Sequence, residues 1–184
     1  MALKATIYKA EIQIADMDRH YYQNHALTLA RHPSETDERM MVRLLAFILN
    51  ASETLAFSRG LSADDEPDVW QKDLTGAIEL WIEVGQPDEK RILKACGRAG
   101  KVIVYSYSNN SNIWWNQISN RVERAKNLTV INLPSHISAA LGKLAQRNMQ
   151  LQCTIQDGQT WITANDETVQ IDLTTVKALS GAAH

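Results

Sequence analysis

Asp68 and Glu83 are the residues of this chain whose type and placing best lend themselves to chemistry. The chain between them is long enough for a short strand, a turn and a return strand, so a hairpin would bring the two acids together on one edge of a sheet. Glu83 lies in Leu80-Trp81-Ile82-Glu83-Val84, and an acid among apolar neighbours is costly unless it is paired, protonated or bound to a cation. A helix carrying Lys90, Arg91 and Lys94 is expected directly afterwards. Two converging acids with a cation close by are the parts needed to hold Mg²⁺ or Mn²⁺ against a phosphodiester, where the metal lowers the pKa of its bound water and offsets charge on the phosphate. Asp68 and Glu83 are therefore the candidate metal ligands. Glu79, two alternations before Glu83, either extends the acidic cluster or sits at the exposed start of the strand. The structural alternative is a buried ion-pair network, Lys94 with Glu83 or Asp68.

The elements that must position these residues follow from periodicity. Residues 3–15 alternate apolar and polar, with a bulge expected where the alternation slips, and residues 21–30 alternate again after an Asp16-Met17-Asp18 turn, so an N-terminal hairpin is expected. A helix is expected to open at Pro33-Ser34, with Glu35, Asp37 and Glu38 in its first turn and Met41, Leu44, Leu45 and Ile48 as its buried stripe. Short strands are expected over 55–59 and from Val69. Residues 78–84 are almost all apolar, as in a central strand covered on both faces. Pro87-Asp88-Glu89 starts a helix whose expected core face is Ile92, Leu93, Cys96 and Ala99. Residues 101–107 form a second buried strand, parallel to the first through that helix. Helices over 113–126 and 135–147 flank a strand over 128–133, and short strands follow at 149–155, 161–164 and 169–173, the first two joined by an Asp157-Gly158 turn. The expectation is one α/β domain over residues 1–184: a mixed sheet flanked by helices, with antiparallel strand additions at both ends.

Pro67-Asp68, a hairpin, and then Glu83-Val84 resemble the PD-(D/E)XK nuclease-like pattern, in which Pro-Asp and a hairpin precede (Asp/Glu)-X-Lys. Gly85 stands where that pattern has lysine. The resemblance implies that another group polarises the attacking water or the scissile phosphate. Lys94, its stem reaching back over the strand end, is the preferred candidate; Gln86 is the other, and Lys90 shares a face with Lys94. It further implies an assisting acid on the first helix, Glu38 or Glu35. Independently of the resemblance, Arg39, at i and i+4 with Arg43 on that helix, is placed within reach of the cluster. Over nearly its whole length the chain also resembles the YaeQ family of bacterial proteins, through MALKATIYKAEI, LTLARHPSETDERMMVRLLAF, RGLSADDEPDVW, IELWIEVGQPDE, KAC, IWW and TIQDG. That implies a single-domain, restriction-endonuclease-like variant of the nuclease fold and no established reaction.

Composition narrows the function classes. The 184 residues are 45% hydrophobic and 22% charged, with a formal net charge of −2, which argues against a broad basic nucleic-acid surface. Two readings stand: a metal-dependent nuclease acting on nucleic acid, or a non-catalytic nucleic-acid- or protein-binding module that keeps the fold. Cys96 and Cys153 match no zinc or CxxC spacing and read as reduced core thiols. His20, His25, His32, His136 and His184 form no close ligand pair. Of Trp114-Trp115, one is expected in the core and one half exposed. Arg121, Arg124 and Lys126, with Glu123 among them, read as a solvated face. No signal-peptide pattern, membrane-length apolar run, P-loop, GxGxxG or GxSxG is present, and a cytoplasmic protein is expected.

Overall fold

A computed structural model describes residues 4–179, so Leu3 of the first expected strand and His184 lie outside the described residues. The described residues divide into two compact units, one built from residues 4–44 and 136–172, the other from 45–135 and 173–179. Each unit has its own mixed sheet, so the architecture is α/β with two sheets, where a single sheet with terminal additions was expected.

The first unit contains the N-terminal hairpin, β1 (Thr6–Asp16) and β2 (Tyr21–Arg31). The two strands pair without interruption from Thr6–Arg31 to Asp16–Tyr21. No bulge interrupts this register: Tyr8, Ala10, Ile12 and Ile14 are buried in strict alternation, and the slip in the pattern is only Ile7, an apolar residue on the solvent face. Beside β1 lies β8 (Asn148–Gln156), parallel to it, followed by β9 (Gln159–Ala164) and β10 (Glu167–Ile171), in the order β10-β9-β8-β1-β2. This parallel pairing joins strands from opposite ends of the chain. Asp18 ties the two hairpin tips together by accepting the N–H groups of Asp157 and Gly158 on its two carboxylate oxygens, at 2.8 and 2.9 Å. Helix α4 (Ser135–Lys143) is shorter than expected.

Helix α1 (Asp37–Leu49) starts later than Pro33-Ser34. The N–H of Glu35 closes a turn on the His32 carbonyl, and Thr36 caps the helix, its hydroxyl accepting from Arg39 N–H at 3.1 Å. Glu35 therefore precedes the helix. Residues Met40 to Ile48 are all buried, the one charged residue among them, Arg43, in an ion pair with Glu35.

The second unit carries the acid pair. Its sheet runs β11-β7-β6-β5-β4-β3, with β3 (Leu55–Phe57), β4 (Val69–Lys72) and β5 (Ile78–Val84) antiparallel, β6 (Ala99–Tyr107) and β7 (Leu128–Leu133) parallel to β5, and β11 (Thr174–Lys177), not anticipated from sequence, antiparallel on the edge. Helices α2 (Glu89–Arg98) and α3 (Ser111–Val122) cover one face, where Trp81, Ile92, Ala95, Val102, Val104, Trp114, Ile118 and Val130 form one core. Ala95 takes the core position expected of Leu93, which is 43% exposed: the buried stripe of α2 is phased on Ile92 and Ala95. On the other face Phe57 stacks on Phe47 at 5.1 Å, and Asn50 donates to the Tyr105 hydroxyl at 2.9 Å.

Candidate functional site

The acid pair sits where the chain enters and leaves the β4–β5 hairpin. Asp68, one residue before β4, is 3% exposed and bonds to both neighbours of Glu83. Its N–H donates to the Ile82 carbonyl at 3.0 Å, and its Oδ2 accepts from Val84 N–H at 2.8 Å. Its own carbonyl accepts from Ser58 N–H, so Asp68 joins three strand ends at once. Glu83, 5% exposed, shares the helix-covered face of β5 with Trp81. Its Oε1 accepts from the Trp81 indole N–H and from Arg91 Nε, both at 2.9 Å.

Arg91 is the residue sequence reasoning passed over. Asp88 caps α2 by accepting Arg91 N–H at 2.8 Å, which sets the helix phase and turns the Arg91 side chain back across the end of β5. Besides pairing with Glu83, the guanidinium donates to the carbonyls of Asp64 and Glu66. Two helix turns further along the same stripe, Arg98 stacks on Trp81 at 4.9 Å and donates to the Asp65 carbonyl at 2.9 Å. The segment 64–66 is thus pinned to α2 by backbone carbonyls and two arginines. The stripe was present in the sequence as Arg91, Ala95 and Arg98, at helical spacing around a small residue.

Electrostatics follow from this geometry. Burial pushes the Glu83 carboxyl above its ordinary range and the Asp68 charge adds to that, against the hydrogen bonds and charge of Arg91 and the indole N–H. Burial works to lower the Arg91 guanidinium, but Glu83, Asp68 and Asp64 outweigh it and raise it. The pocket beside this pair, lined by Asp64, Asp65, Trp81, Arg91, Lys94 and Arg98, has a volume of about 20 Å³, room for about one water.

The whole-chain pattern decides the kinship. The model of the family described as YaeQ protein matches residues 1–173. The chain belongs to the YaeQ family. It is 50% identical over 175 residues to an uncharacterised YaeQ protein of Salmonella typhi and 48% identical to that of Escherichia coli K12, in each case across 95% of this chain and 97% of the relative. The crystal structure of the YaeQ protein from Xanthomonas axonopodis pv. citri matches with a TM-score of 0.91 at 51% identity, covering 95% of this chain and 99% of that one. The YaeQ protein from Pseudomonas syringae matches with a TM-score of 0.92 at 34% identity, covering 96% and 98%.

In this YaeQ-family chain the remaining candidate residues divide. Lys94 is exposed and forms no ion pair among the described residues; Arg91 makes the contact with Glu83 that Lys94 was expected to make. Gln86 donates to Ser108 Oγ at 3.1 Å and Asn110 Oδ1 at 2.7 Å, bracing the loop after β6. Glu79 lies at the exposed start of β5. Glu38 belongs to the first unit, where Ser138 donates to it at 2.6 Å. Glu35 and Arg39, also in that unit, pair at 2.6 Å, and Arg43 joins them. Trp114 is buried, its indole donating to the Pro87 carbonyl at 2.8 Å, and Trp115 is half-buried.

A divalent cation of the magnesium or manganese class takes about six oxygen ligands. Among the described residues no three His, Cys, Asp or Glu side chains group in a way that could hold a metal ion. Of the two acids, Glu83 Oε1 already accepts two donors and Asp68 Oδ2 a backbone N–H. Side chains therefore offer a sparse donor set here: two carboxylates, with one oxygen of each already accepting. A guanidinium stands in the position of the compensating charge. No helix among the described residues is long and apolar enough to cross a membrane.

Proposed function

We propose that this protein is a PD-(D/E)XK nuclease-like fold in which Glu83 forms a structural ion pair with Arg91 instead of ligating a metal, and that it acts as a non-catalytic binding module rather than as a nuclease. The observation that carries the reading is the Arg91–Trp81–Glu83 cluster: the acid that would ligate a metal is 5% exposed and its Oε1 is held by two donors. Gly85 supports it. The lysine of the motif would have to sit at φ +110°, in the region that side chains rarely adopt. A formal net charge of −2 favours a protein partner over nucleic acid, whose binding draws on clustered Lys and Arg.

The rival reading is metal-dependent phosphodiester hydrolysis on nucleic acid through Asp68 and Glu83, with Lys94, exposed at the rim of the small pocket, as the cation. One observation favours it. The Asp68 charge helps raise the Glu83 carboxyl, an unfavourable pairing that a divalent cation would relieve. A metal at Glu83 would bind through Oε2 or displace Arg91 from Oε1.

The deciding experiment is a Mg²⁺- and Mn²⁺-supported cleavage assay on single- and double-stranded DNA and RNA, with wild type and Asp68→Asn prepared alike, alongside calorimetric titration of each metal. The structural reading expects no cleavage and no saturable metal binding by either protein. Metal-dependent cleavage by wild type that Asp68→Asn lacks would overturn it.

A further inference from the structure

The five-stranded sheet ends in a long strand with a free edge. Lys9 N–H donates to the Arg147 carbonyl, and the Ile7 carbonyl accepts from Arg147 Nε at 2.8 Å, so the odd-numbered residues of β1 direct their backbone groups toward β8. The even-numbered residues of β1 therefore bond to β2, through the pairs Tyr8–Leu29, Ala10–Leu27, Ile12–His25 and Ile14–Gln23. In β2 it follows that Tyr22, Asn24, Ala26, Thr28 and Ala30 turn their N–H and C=O groups away from the sheet. Arg43 agrees with this parity: it reaches the Ala30 carbonyl at 3.3 Å. The other four residues carry no backbone bond on that side among the described residues, and all four are exposed.

Proteins usually blunt such an edge with short length, charge, proline or a bulge. The other three edges of the two sheets do so. β3 has three residues, β10 has five and opens on Glu167, and β11 has four with a register shift before Lys177. β2 is eleven residues long, pairs without a bulge, and between Tyr22 and Ala30 contains no Asp, Glu, Lys, Arg, Pro or Gly.

We propose that β2 is the interface for a second copy of this chain, pairing antiparallel across a two-fold axis to join the two five-stranded sheets. The strand is complementary to itself. Using all four outward residues fixes the register: Tyr22 faces Thr28 of the second copy and Asn24 faces its Ala26, each pair exchanging two N–H···O=C bonds. In this register His25 faces His25 of the second copy on the axis, small Ala26 lies next to it, and between Tyr22 and Thr28 no Asp, Glu, Lys or Arg meets a like charge. A partner of different sequence would meet the same bonds but would not be matched by this symmetry. The inference is independent of the acid pair in the other unit.

The test is light scattering or sedimentation equilibrium over a wide concentration range, comparing wild type with Ala26→Pro. The Ala26 N–H points away from β1, so proline there removes no bond of the monomer, and at concentrations low enough for both to be monomeric the circular dichroism spectrum and melting profile should match wild type. Wild type should reach twice the chain mass, and Ala26→Pro should raise the dimer dissociation constant at least about tenfold. Amide exchange on wild type gives a second readout that needs no variant: Asn24, Ala26 and Thr28 should gain protection as concentration rises. A monomer at every concentration, or an Ala26→Pro dimer as tight as wild type, would overturn the proposal.

Discussion

At the scale of residues, the site is governed by who neutralises Glu83. Removing Arg91 leaves a carboxylate buried with a second acid beside it, so Arg91→Ala is expected to cost about 2 kcal/mol, below the range for fully buried pairs because the Arg91 side chain is 32% exposed. Urea unfolding measures this, and adding Glu83→Gln should recover part of the loss. The pH dependence has a definite sign. The folded Glu83 carboxyl titrates above its ordinary value of 4.5, so its contribution is fully present below that pH and is lost as pH rises through the folded value. The urea midpoint of wild type should therefore fall relative to Glu83→Gln as pH climbs from about 4.5 toward neutrality; a pH-independent difference would contradict this. Asp68 and Glu83 were legible in the sequence because an acid inside an apolar strand has to be compensated. Arg91 was not, because which of three neighbouring cations turns back over the strand depends on the helix phase that Asp88 sets. Gly85 makes the same point: writing the motif lysine back in as Gly85→Lys meets open space but strains a backbone at φ +110°, and should destabilise by about 1–2 kcal/mol.

At the scale of elements, the local rules performed well and failed where pairing is distant. The β1–β2 hairpin, the β5–α2–β6 crossover and the Asp157-Gly158 turn all follow from short-range patterns. The parallel pairing of β1 with β8 did not, since Lys9 lies opposite Asn148 and no periodicity within either strand records its neighbour. The start of α1 was misplaced because Pro33 and the following acids imitate a first turn, while the capping hydroxyl belongs to Thr36. In the first unit α4 crosses α1 closely at Gly142, where an added Cβ would come within 3.1 Å of Glu38 Cα and 3.3 Å of its backbone nitrogen. Gly142→Ala gains helix propensity but pushes on backbone, and is expected to lower stability by about 1–2 kcal/mol net, read from the melting temperature; an increase would show that the helices part freely.

At the scale of the whole molecule, burial raises both thiols, Cys153 fully enclosed and Cys96 half-buried. The Cys153 thiol is pushed up to about 12 by burial and by the charge of Asp16, and burial raises Cys96 against the opposing charge of Lys177. Ellman's reagent at neutral pH should leave Cys153 unlabelled until the protein unfolds; rapid labelling of the native state would contradict the packing. The discontinuous first unit also orders the folding. Pairing β1 with β8 closes a loop over most of the chain, so amides of β5, β6 and β7 should gain protection in pulsed exchange before those of β1 and β8. There is a biosynthetic corollary in α1, whose residues from Met40 to Ile48 are apolar at every position but Arg43. A helix with no solvent face has nothing to show the ribosome surface but grease, and it emerges roughly a hundred residues ahead of β8. The nascent chain should therefore be a client of holding chaperones until translation is nearly complete.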